Sequence, residues 1–237
     1  MIAFAAIAPH GDVDAAPELR AAMEELGRRF DATGCETAVV VSPHTVHVEG
    51  HFAVIDAARV GEHETDRALA SEIVEAIRAE GVPVLRVSYG GNDPAEAELP
   101  LDWGTEVPLR FMRARRVVLL APARDRPLDE HVRVGAAVAA AAGERRVALV
   151  ASADHAHAHD PSGPYGFDPA AAEYDELFLE LAAAEPFDFR PLERRVADAK
   201  ADSLWQLLVL QGAVAGGLEL LAYAAPTYYG MAVAVAR

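Results

Sequence analysis

Two hydrophobic rhythms divide the chain. Short, continuous apolar runs at Ile2–Ala8, 36–41, Phe52–Ile55, 82–87, Arg116–Ala121 and 146–151 have the length of strands. In the run 36–41, Val39, Val40 and Val41 follow one another with no polar alternation, so both faces of that strand are expected to be buried, as in a parallel sheet. Between the runs, apolar residues recur at helical spacing: Leu19, Met23, Leu26 and Phe30 within 14–31, and Leu69, Ile73 and Ile77 within 66–80. Asp14 reads as the N-cap of the first helix, with Pro17 in its first turn and Thr33-Gly34 as its stop. Further helices are predicted over Leu128–Ala142, from Pro169 to about residue 184, and from Asp202 to the Gly216-Gly217 pair. The segments 218–223 and 230–236 predict two antiparallel strands joined through Pro226. A Gly-rich turn at 89–93, an acidic loop at 94–100 and a charged stretch at 191–200 complete the pattern.

Strands that alternate with helices predict an α/β fold with a mostly parallel central sheet covered by helices on both faces. No repeat, linker or composition break interrupts the chain, so 1–237 is expected to form a single domain. In such sheets ligands bind beyond the carboxyl ends of the strands. This chain keeps histidines there: His10, His44 and the His155/His157 pair each follow directly on a predicted strand.

Composition narrows the function. Hydrophobic residues make up 52% and charged residues 24%, an ordinary globular balance. The net charge of −16 argues against a nucleic-acid partner, which would need clustered Lys and Arg. It would also repel anionic substrates unless the site carries its own cation. Cys35 is the sole cysteine, which excludes an internal disulfide framework and any Cys-rich metal site. The opening MIAFAAIAPHGD reads as a first strand and not as a signal peptide, and no apolar stretch approaches the roughly 20 residues of a membrane span. We therefore expect a soluble cytoplasmic protein with no membrane or nucleic-acid partner, and a homo-oligomer.

The richest chemistry lies in 151–168, ASADHAHAHDPSGPYGFD, where Asp154, His155, His157, His159 and Asp160 crowd together ahead of a Pro/Gly turn. Alternating His-Ala-His-Ala-His would put three rings on one side of an extended chain, as proton transfer or metal ligation needs. A solvated histidine tract is the plainer alternative. Two further histidines sit in Pro-His contexts, AIAPHGD and VVSPH, where proline stiffens the turn that carries the ring.

These motifs, with LDWGTEVPL in mid-chain and ADSLWQLLVLQGAV and PTYYGMAVA near the end, resemble the LigB superfamily of class III extradiol ring-cleavage dioxygenases, which also contains the Memo-like proteins. The resemblance runs nearly end to end. It implies a ferrous ion held by His10, His44 and a carboxylate, for which Asp202 occupies the expected place before the last apolar helix. Asp198 and Glu219 are substitutes, and an N-cap is the other reading of Asp202. It also implies that His157, in the Asp154-to-His157 element, handles protons, with His155 and Asp154 beside it and His159 tuning the site or touching substrate. Trp103 stands where members often have a histidine and would offer a flat apolar wall, or simple packing. Glu106 is a further candidate carboxylate, or a helix-starting residue. The implied activity is Fe(II)-dependent extradiol cleavage of a small catechol-type aromatic with dioxygen. The alternatives are a Memo-like binding protein with a degenerate site and a zinc hydrolase on the same ligands.

Overall fold

The computed structural model describes residues 1–90 and 93–237. Gly91 and Asn92, within the turn expected at 89–93, lie outside the described residues. Eleven strands form one sheet among the described residues. Its middle consists of β1 (Ile2–Ala8), β9 (Val147–Ser152), β2 (Thr37–Val41) and β8 (Arg116–Ala121), adjacent in that order and all parallel. Beyond β1 lie β11 (Met231–Ala236) and β10 (Leu218–Ala224), the expected antiparallel pair. Beyond β8 lie three pieces that the hydrophobic pattern did not announce: β5 (His63–Thr65), β4 (Arg59–Val60) and β7 (Glu98–Leu99). They are two or three residues long, too short to carry a period. β3 (Phe52–Ile55) runs antiparallel to the carboxyl end of β8 and carries the edge strand β6 (Val84–Val87).

Side chains alternate across the sheet and divide between two cores. On one face, Ala5, Ile7, Val39, Val41, Leu149 and Ala151 meet α2 (Arg67–Ala79), α4 (Leu128–Ala142), α5 (Ala170–Ala183) and α7 (Leu204–Ala213). On the other, Phe4, Ala6, Val40 and Val150 meet α1 (Pro17–Thr33) and α3 (Trp103–Leu109). The unbroken valines of β2 are fully buried for this reason.

Three details differ from the pattern-based expectation. Asp14 does not cap α1; a 3-10 turn at Val13–Ala15 comes first, Pro17 takes the first helical position, and Asp14 pairs with Arg20 at 2.7 Å. The charged stretch 191–200 folds into a 3-10 turn and α6 (Glu193–Ala199). LDWGTEVPL contains α3, whose N-cap Asp102 accepts from the Thr105 amide at 3.0 Å. No helix of the described residues is long and apolar enough to cross a membrane.

Candidate metal centre

Because β1, β2, β8 and β9 are parallel, the loops that follow them open on one edge of the sheet. A cleft of about 1060 Å³ lies there, and His10, His44, Asp154, His157 and Asp202 all line it. His10 Nε2 is 3.1 Å from His44 Nε2, and Asp202 Oδ2 is 3.7 Å from each. Donors bound to one ion at about 2.1 Å would be separated by roughly 3.0–3.4 Å, so the three atoms fit a common metal with small adjustments.

The surrounding bonds orient these donors. The Ser152 hydroxyl donates to the Gly104 carbonyl, so its oxygen accepts from His10 Nδ1–H at 3.0 Å. That fixes the tautomer of His10 and turns the Nε2 lone pair to the site. Burial lowers the basicity of His10, but Asp154 and Asp202 outweigh it and hold the ring above the usual histidine range. His44 is pushed down to about 4, by burial first and then by His10. The two Nε2 atoms thus face each other at hydrogen-bond distance, at the position a cation would occupy.

Asp202 distinguishes its two readings. It is 8% exposed, and α7 begins at Leu204 with Ser203 as its N-cap and no side-chain cap bond, so the carboxylate is not spent on the helix amides. Burial would raise its pKa, yet His10 beside it keeps the carboxyl below the usual range. Its Oδ1 is buried and has no hydrogen-bond partner among the described residues, an expensive arrangement unless a cation answers it. The donor set, two imidazoles and one carboxylate on one face, fits a divalent transition metal.

The profile of the family described as catalytic LigB subunit of aromatic ring-opening dioxygenase matches residues 9–235. The chain belongs to this LigB family. Among solved structures it is similar to uncharacterized protein JW3007 from Escherichia coli K12, with 18% identity, 99% of each chain covered and a TM-score of 0.66. At that identity the likeness shows the fold. Among curated proteins none matches the chain.

Within this LigB-family fold the three neighbouring histidines part company. β9 ends at Ser152, and beyond it the three rings meet different surroundings, so the expected common side for all three is not realised. His157 faces the cleft and donates through Nδ1 to the His155 carbonyl at 2.8 Å, leaving Nε2 as an acceptor. His155 is in the interior, with its ring centroid 3.8 Å from that of Phe178 and Nδ1 3.1 Å from Ser203 Oγ; burial pushes it down to about 4. His159 pairs with buried Asp175 at 2.8 Å and does not line the cleft. Asp154 accepts from the His10 amide at 3.0 Å, and its carboxyl is pushed up by burial and further by Asp202.

Trp103 is 59% exposed and forms a wall of the cleft, while Glu106, three residues on along α3, is exposed and outside it. The substitutes for Asp202 are elsewhere: Asp198 is exposed on α6, and Glu219 forms a paired contact with Arg29 at 2.8 and 3.0 Å. Residues outside the sequence-based set complete the cleft. Arg124 stacks on Trp205 at 4.8 Å and lies 3.9 Å from Asp202; Arg110, Lys200 and Tyr165, Tyr228 and Tyr229 add cations and aromatic walls. Arg124 follows β8 as His10 follows β1, so its strand-end position was a usable signal.

Proposed function

We propose that the chain opens the ring of a catechol-type aromatic with dioxygen, using a ferrous ion held by His10, His44 and Asp202. The observation that carries this reading is the convergence of two imidazoles and a buried, partnerless carboxylate oxygen at the floor of an aromatic-walled cleft. A bound ferrous ion supplies neighbouring open positions at which a catecholate and dioxygen can meet. The protein's part is orientation, charge and protons. Ser152 keeps the His10 lone pair on the site, and Asp202 offsets one of the two positive charges. Arg110, Arg124 and Lys200 counter the −16 charge of the chain as an anionic catecholate enters. Trp103 and Tyr228 offer flat surfaces to its ring.

His157 is the acid/base. Its Nδ1–H is committed to a carbonyl, so Nε2 can take a catechol O–H proton and return it to the opened product. Asp154, at the start of the His157 loop, accepts from the His10 amide and so ties this loop to the one after β1. His155, His159 and Glu106, which lie outside the cleft, have no direct part in this reading. In the net reaction both atoms of one dioxygen enter the substrate as the ring carbon–carbon bond beside the diol breaks, leaving an aldehyde and a carboxylate.

The test is anaerobic purification, metal analysis, reconstitution with ferrous iron and a panel of catechols in an oxygen electrode. One dioxygen consumed per ring opened, with absorbance of the ring-opened product, supports the reading. Tight zinc with no oxygen uptake on any catechol would sink it and favour hydrolysis by a metal-activated water on the same ligands.

A further inference from the structure

The segment 102–105, Asp-Trp-Gly-Thr, is used by neither metal ligation nor proton transfer, yet three of its residues touch what holds the two histidines. Asp102 Oδ1 accepts from Ser42 Oγ at 2.6 Å, and Oδ2 accepts from Thr45 Oγ1 at 3.0 Å. Ser42 and Thr45 bracket His44, and the Ser42 oxygen also accepts from the His44 amide at 3.3 Å. Trp103 lays its indole against the His44 ring, with centroids 4.4 Å apart and planes 31° from parallel. Gly104 makes the approach possible, since a Cβ there would collide with Ser42 Oγ and come within 3.1 Å of His44 Cδ2. Its carbonyl accepts from the Ser152 hydroxyl, which leaves the Ser152 oxygen to accept from His10.

His44 needs this support more than His10 does. Its Nδ1 has no protein hydrogen-bond partner among the described residues, so no bond on the ring's far side fixes its direction. The loop 42–45 that carries it lies partly open to the cleft mouth. We propose that the first turn of α3 is the positioning element of the metal centre, with the Asp102 carboxylate clamping Ser42 and Thr45 so that His44 Nε2 is presented beside His10 Nε2. This rests on the metal-binding reading of His10, His44 and Asp202. A carboxylate accepting from two hydroxyls of one loop makes strong, charge-assisted bonds at two points. With the loop tied beforehand, metal binding does not have to order it. The Asp102–Thr105 cap is a separate duty of the same side chain, and the test separates the two.

The double variant Ser42→Ala/Thr45→Val removes both ties and leaves the Asp102–Thr105 cap. Cobalt(II), titrated against a competing chelator and followed by its visible absorption, reads affinity and ligand geometry together. Positioning predicts a loss of cobalt affinity of about 10–100-fold, a shifted visible band and a metal-free melting curve matching wild type. Thr45→Ser, which keeps the hydroxyl, should hold wild-type affinity where Thr45→Val does not. Unchanged cobalt affinity and spectrum in the double variant would overturn the clamp and leave α3 as packing. Should the double variant unfold, the Thr45→Val and Thr45→Ser pair decides alone. If wild type takes up no cobalt, iron or zinc, the metal reading and the clamp fall together; if wild type binds and the variants bind equally, only the clamp falls.

Discussion

Asp202 directs its carboxylate at His10, with Oδ2 3.7 Å from Nε2, and not at the amides of the helix it precedes. The two readings of this residue differ in what its removal costs. Serine caps a helix about as well as aspartate but is a poor ligand for iron.

Asp202→Ser should therefore fold with near-native stability when metal-free and lose metal affinity by more than about 100-fold, beyond the usual cost of losing an outer-shell partner. Calorimetric or chelator-competition titration checks the affinity, and thermal melts check the fold. Unaltered metal binding would return Asp202 to a purely structural role.

His157 contributes no donor atom to the group formed by His10, His44 and Asp202. His157→Ala should keep full metal content and lose turnover by about 10²–10⁴-fold. Loss of metal from this variant would instead make the imidazole a ligand.

His131 is fully buried on α4, its Nδ1 3.2 Å from the Pro127 carbonyl and its Nε2 without a partner among the described residues. Burial pushes it down to about 4 from an ordinary 6.5. Above pH 6.5 the ring is neutral in folded and unfolded chains alike, and its contribution is intact. As pH falls from 6.5 to about 4 only the unfolded chain takes the proton, so stability is lost across that window, by roughly 3 kcal/mol at most. His131→Phe keeps a ring against Phe52 and should flatten this part of the urea-unfolding profile against pH. His155, also about 4, gives a loss of the same sign and remains in that variant.

Gly135 of α4 faces α7 so closely that a Cβ would overlap the Val209 carbonyl oxygen. Gly135→Ala should cost about 1–3 kcal/mol by overpacking. Because Asp202 immediately precedes Ser203, the N-cap of α7, the displaced helix should also weaken metal binding. A melt and a metal titration on one sample check both; a stable variant with full affinity would show that the contact yields elsewhere.

Much of this molecule was legible in its amino-acid order. The apolar runs marked β1, β2, β8 and β9 because those strands are buried on both faces, and the helical spacing of Leu69, Ile73 and Ile77 marked α2 because one face alone is buried. Histidines directly after such strands pointed to one edge of the sheet, since parallel strands share an end. The order and spacing of the motifs carried the family. Tertiary structure decided the rest, where the outcome depends on partners distant in the chain. His155, His157 and His159 have the same local pattern, but Phe178 and Ser203 draw the first into the core, and Asp175 draws the third aside. Asp202 has the local context of a cap, and the separation of about 190 residues from His10 hides what it faces. The strands β4, β5 and β7 are too short to show a period and exist because neighbouring strands supply their hydrogen-bond partners. Local sequence records what a residue can do; which of its options is realised depends on what the fold brings within reach.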